Sequence, residues 1–168
     1  MQIKSIINTP DKSFEVIYND IESESELGDR KVKGVHAFCF YKDQLVIVYA
    51  KKKDSWTPPG GGTEEGETAR ETVVREVQEE SNMRVIKQRF IGFQDIYEFE
   101  VPTTQTRSVC LVEPYGDFME DPDDGEITEI KLIDPKDYKQ YFDWGPVGDH
   151  IMERALDIKA QMDLEVNK

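Results

Sequence analysis

Three carboxylates, Glu76, Glu79 and Glu80, are spaced three and four residues apart. A helix gathers that spacing into an arc of roughly 100°. Ala69, Val73 and Val77 fall on the same side by the same count, so the acids border the apolar stripe and partly overlap it. Without a partner the arrangement is unfavourable. Like charges four apart cost about 0.2–0.5 kcal/mol per pair. Acids in a last turn oppose the helix dipole by another ~0.3–1 kcal/mol each. A hard divalent cation removes most of that cost, because clustered carboxylates are the donors Mg²⁺ and Mn²⁺ prefer. Arg75, four before Glu79, is placed to hold that side chain.

The flanking residues predict how the acids are held. Pro58 and Pro59 stiffen the chain, and Gly60 to Gly62 let backbone approach a ligand closely. Thr68 reads as the helix N-cap, with Glu71 three later completing a capping box. Glu67 then sits at the positive end of the helix. Asn82 reads as a left-handed residue just past its C-terminus.

Before this stretch, GVHAFCFY and LVIVYA form a β-hairpin parted by Lys42, Asp43 and Gln44, apolar on both faces and therefore central in a covered sheet. After it, residues 85–101 and 107–113 read as strands joined by PTTQT, and 129–133 as a third, short one. Asp134 and Pro135 start a short helix. Val147, Ile151, Ala155, Ile158 and Met162 then repeat at helical spacing in a terminal helix. Residues 1–31 are least informative: a strand over 14–18, and either an edge strand or the arm of a homodimer. Residues 32–168 form the main domain.

Gly61, five residues, Glu67, seven residues, then Arg75-Glu76-Val77-x-Glu79-Glu80 and Asn82-Met83 is an order that resembles the Nudix box at every charged position. Asn82 stands where the family carries glycine. The resemblance implies an α/β fold, the Nudix-type α/β/α sandwich with a mixed β-sheet between helices. It implies Mg²⁺ or Mn²⁺ held by Glu76, Glu79, Glu80 and the Gly60 carbonyl. The implied reaction is water attack at phosphorus, cleaving the diphosphate linkage of a nucleoside diphosphate derivative or a nucleoside triphosphate. Glu80 and Glu126 are the implied candidates for the base, Glu126 being chosen by position in a late acidic loop, with Glu129 second. Glu67 is structural or assists the metal site. Arg75, Glu79, Glu80 and Glu126 make up the candidate catalytic set. The family's SQPWPFPxS marker is absent, and Tyr97 and Pro102 are out of register with its other substrate markers.

Composition narrows the partners. A net charge of −14 over 168 residues argues against nucleic acid and for metal-complexed small nucleotides. No run of eighteen apolar residues suggests a membrane span, and no signal-peptide core is present, so a cytoplasmic protein is expected. Cys39 and Cys110 lack metal-ligand spacing and read as reduced core residues. Lys53, Trp56 and Arg107 are candidates for substrate contact, with Arg84 and Arg89 as further cations and Trp144 as a stacking surface. His36 reads as a hydrogen-bonded strand residue and His150 as a surface or capping residue. Two other functions remain open: a nucleotide sensor without turnover, and a diphosphate isomerase on the same fold, which needs a positioned cysteine.

Overall fold

The computed structural model describes residues 1–8, 10–119 and 126–166. Its core is a nine-stranded mixed sheet with one helix on each face. The strands are β1 (Gln2–Asn8), β2 (Ser13–Asp20), β3 (Val32–Tyr41), β4 (Gln44–Ala50), β5 (Ser55–Thr57), β6 (Gly60–Gly62), β7 (Met83–Tyr97), β8 (Thr103–Pro114) and β9 (Ile127–Ile133). The helices are α1 (Ala69–Ser81) and α2 (Gly145–Val166). The main path runs β1-β2-β7-β8-β3-β4-β5, with β6 paired to β3 and β9 to β4. Among the described residues only the β3–β8 pairing is parallel, which makes this the mixed sheet of an α/β/α sandwich.

Alternation along the central strands explains their unbroken apolar run. On β3, Val35, Ala37 and Cys39 pack toward α1, while Phe38 and Phe40 pack toward α2. Val46 on β4 joins the first set, and Leu45 and Ile47 join the second. Cys39 and Cys110 are free thiols, opposite each other across the parallel pair and fully buried. Helix α2 presents Val147, Ile151, Ala155, Ile158 and Met162, all buried, so the terminal stripe is core packing.

Several boundaries differ from the sequence reading. Gln44 belongs to β4, opposite Tyr41, leaving a two-residue turn in which Lys42 takes φ 55°. Thr103 to Thr106 are strand, paired with Ile96 to Phe93, because threonine suits a pleated surface and nothing there forces a turn. The glycine run is a short strand, β6, held to β3 through Gly34, Val35 and His36. β1 and β2 pair as an antiparallel hairpin, with β1 at the end of the sheet and β2 paired to β7. The N-terminal ammonium and His150 Nε2 both reach Asp20, at 3.1 and 2.8 Å. His150 is therefore half-buried in a polar clamp between hairpin and α2, a correction to its reading as a surface or capping residue. No helix among the described residues is long and apolar enough to cross a membrane.

Candidate active site

Helix α1 brings the acids to the edge of the sheet. Thr68 caps it, accepting from the Glu71 backbone N–H, and Glu71 reciprocates. Asn82 closes it at φ 51°, donating its N–H to Gln78. Its side-chain amide also donates to the Asp117 carbonyl at 2.7 Å, a contact glycine could not make. Ala69, Val73 and Val77 lie against the sheet. Glu76 and Glu80 occupy the half-buried border, and Glu79 is exposed.

Arg75 organises the cluster. Its Nε and Nη2 donate to the two oxygens of Glu67 at 2.7 and 3.0 Å. Nη1 donates to Glu76 at 2.9 Å and to Glu79 at 3.0 Å, and Nη2 also reaches the Gly62 carbonyl. Glu67, eight residues upstream, is thereby tied to the helix. The Arg75 fork, first, and the Glu64 N–H and Thr72 hydroxyl hold its carboxyl down at about 2. A fixed guanidinium fork explains why this position needs arginine. The sequence reading paired Arg75 with Glu79 alone; only the turn at Gly66, with φ 84°, folds Glu67 back within reach.

Glu80 is different. Its Oε2 accepts from the Gly60 N–H at 2.9 Å, and no cation forms an ion pair with it among the described residues. Burial, followed by the negative charges of Glu76 and Glu126, pushes its carboxyl up to about 8, against the opposing pull of the Gly60 N–H and Lys53. Glu76 is also raised, chiefly by burial, with Arg75 opposing. Pro59 offers its carbonyl to Ala37 N, so Gly60, next along the strand, turns its own N–H and C=O away from β3 and toward the acids.

Backbone comes this close because glycine stands there. A Cβ on Gly61 would lie 2.3 Å from Glu76 Oε1, and one on Gly60 would lie 2.2 Å from the Val35 carbonyl. The Gly61 contact is with the end of a flexible side chain. Gly61→Ala should therefore leave the melting temperature within a few degrees of wild type while displacing Glu76, lowering turnover by at least about tenfold. Paired thermal melts and initial rates check it.

Glu126 is described only at the edge of its loop, where its carbonyl accepts from Lys51 N; residues 120–125 of the acidic loop lie outside the described residues. Glu129 sits on β9 opposite Tyr49. Lys53 closes a short 3-10 turn, and Trp56 packs on Tyr49 and Tyr141 with Lys131 over its ring. Arg84 pairs with Glu113 and Arg89 with Glu165, so both cations are engaged elsewhere. Arg107 is not a surface residue: it is 3% exposed, on β8, and points to the α2 face. His36 is half-buried, and its Nδ1 is sealed from solvent with no hydrogen-bond partner among the described residues, which corrects the reading of a hydrogen-bonded strand histidine. Burial, reinforced by Arg107 and Lys53, drives its pKa well down and keeps it neutral.

A family model for the NUDIX domain matches residues 30–155. The chain belongs to the Nudix family. With membership comes a class of chemistry, hydrolysis of pyrophosphate bonds. Among solved structures, this Nudix chain is similar to the pyrophosphohydrolase BsRppH of Bacillus subtilis. Identity there is 17%, the match covers 84% of this chain and 91% of the other, and the TM-score is 0.65. It is also similar to a C. elegans Ap4A hydrolase, at 18% identity, 78% and 99% coverage and a TM-score of 0.57. A MutT protein of Bacillus halodurans follows at 17%, 71% and 78%, and 0.53. At these identities the likeness is one of fold. No curated protein sequence matches the chain.

The Nudix acids fit a hard divalent ion by type. Glu76, Glu79, Glu80 and the Gly60 carbonyl are all oxygen donors, and among the described residues Glu80 forms no ion pair. They are not yet gathered around one point: among the described residues no three acidic, histidine or cysteine side chains are close enough to hold an ion. Arg75 engages Glu76 and Glu79, and Gly60 engages Glu80.

Proposed function

We propose that this protein is a Mg²⁺- or Mn²⁺-dependent hydrolase that cleaves the diphosphate linkage of a nucleoside diphosphate derivative or nucleoside triphosphate. The observation that carries it is Glu80: a half-buried carboxylate under the negative charge of Glu76 and Glu126, whose one hydrogen bond among the described residues is from the Gly60 N–H. A site with that excess of negative charge is unfavourable unless a cation joins it. Glu76, Glu79, Glu80 and the Gly60 carbonyl would hold the ion. When bound, it supplies Lewis-acid charge that neutralises the diphosphate and favours ionisation of a water.

The remaining roles fall to the chain. Arg75 fixes Glu76 and Glu79 in position, and Glu67 fixes Arg75. Gly60 N–H holds Glu80 in the orientation from which it, or Glu126, takes the proton of the attacking water. Lys53, whose charge reaches both Glu80 and His36, lies between the acids and the cleft that holds Trp56 and Arg107, where it can meet substrate phosphate. The names of the similar structures, a pyrophosphohydrolase and an Ap4A hydrolase, support the same class of substrate. A diphosphate isomerase is disfavoured because Cys39 and Cys110 are sealed in the core. The net charge of −14 favours small metal-complexed nucleotides over nucleic acid.

A panel of nucleoside triphosphates and nucleoside diphosphate derivatives with Mg²⁺ or Mn²⁺, read by product mass, tests the reading. A nucleoside monophosphate and a second phosphorylated fragment are expected. Binding without products across the panel would mean a sensor instead.

A further inference from the structure

Opposite the α1 face lies a cavity of about 710 Å³ between the N-terminal hairpin and the start of α2. Phe14 and Val16 of the hairpin form one wall, and Trp56, Tyr141, Phe142 and Trp144 form the other. The floor is sheet: Gln94 on β7 stands directly across from Gln105 on β8, with Arg107 beside them. Lys53 at the mouth connects this space electrostatically to Glu80.

The polar floor is unfinished. Gln94 is 8% exposed; its backbone is paired within the sheet, but its side-chain amide makes no hydrogen bond among the described residues. Arg107 is a buried guanidinium that no carboxylate pairs with among the described residues; it lies 5.7 Å from the Trp144 ring centroid, and its Nε is unpaired. Its Nη1 donates to the Thr106 carbonyl and its Nη2 to Gln105 Oε1 at 3.4 Å. That last contact has a consequence for recognition. With its oxygen accepting from Arg107, Gln105, which lines the cavity, is left with its NH₂ as the group to donate to a ligand there. Gln94 remains free to accept.

We propose that this cavity is the nucleobase subsite, that the N-terminal hairpin is one of its walls, and that Gln105, oriented by Arg107, selects bases carrying a keto oxygen at the 6-position of a purine. The proposal rests on the nucleotide-hydrolase reading for its ligand class. Flat aromatic walls suit a planar heterocycle. A 6-oxopurine offers an acceptor to the Gln105 NH₂ and an N1–H donor to the Gln94 oxygen. Adenine places its amino group against the fixed donor, leaving buried polar groups unpaired. Arg107 is here a positioning residue, and the 1–31 segment, which precedes nearly all of the family match, acquires a role in specificity.

The probes are inosine 5′-monophosphate and adenosine 5′-monophosphate, which differ only at that edge. Both tryptophans of the chain, Trp56 and Trp144, line the cavity, so intrinsic fluorescence of the full chain reports binding without metal or turnover. Quenching with at least about tenfold tighter binding of the inosine nucleotide is expected, the scale of one good base-edge contact. Gln105→Glu, which presents only acceptors, should invert the preference. Arg107→Met frees the Gln105 amide to turn and should bring the two affinities within about threefold. Equal affinities in wild type, an adenine preference, or no quenching by either nucleotide would overturn the proposal. Hydrolysis without base discrimination would also overturn it while leaving the hydrolase reading intact; selective binding without hydrolysis would do the reverse.

Discussion

Glu80→Gln is expected to cut turnover by about 10²–10⁴, the range for losing a general base or a group that organises the metal. The variant keeps the shape of the side chain and can still meet the Gly60 backbone, so the fold should survive. It also has a signature in the metal-free protein. The Glu80 carboxyl, ordinarily near 4.5, is pushed up to about 8 by burial and by the neighbouring acids. Between those values the folded protein keeps a proton that the unfolded chain has released. Stability is therefore fully present below about 4.5 and is lost as pH rises through about 8, a slope worth on the order of a few kcal/mol. Melting temperature in EDTA should therefore fall more with rising pH across that window for wild type than for Glu80→Gln, the difference isolating Glu80 from His36 and Glu76, which titrate in both proteins. Saturating Mg²⁺ should flatten the wild-type curve, because an added cation replaces the proton as the partner of the carboxylate. Wild-type turnover in Glu80→Gln, with an unchanged pH slope, would remove Glu80 from the mechanism.

The second large effect is expected at Arg75. Arg75→Lys keeps the charge and loses the fork. One ammonium cannot reproduce five contacts made to Glu67, Glu76, Glu79 and the Gly62 carbonyl. A destabilisation of about 1–3 kcal/mol is expected, from hydrogen bonds to charged groups left unmade. Turnover should fall by at least about tenfold, because Glu76 and Glu79 lose the group that sets their positions. The half-saturating Mg²⁺ concentration should rise with it, which separates this role from simple loss of stability. If melting temperature and Mg²⁺ dependence both match wild type, Arg75 is an ordinary surface ion pair worth under about 1 kcal/mol.

Local residue order was enough to specify the helix of acids and its ends. Thr68, Glu71 and Asn82 act locally, through contacts within a few residues, and spacing alone aligns Glu76 and Glu80 with Ala69, Val73 and Val77. It also determined the two-faced apolar hairpin at the centre of the sheet, since every residue there must be covered from one side or the other. What those elements meet depends on long-range packing. Glu67 reaches Arg75 because of a single left-handed glycine, and β6 exists only as the partner of β3. Arg107, a candidate for substrate contact by sequence, is buried because β8 runs through the middle of the sheet under Trp144. Gln94 and Gln105 carry no motif at all; they face each other through the register of β7 and β8, a long-range pairing that no local pattern encodes.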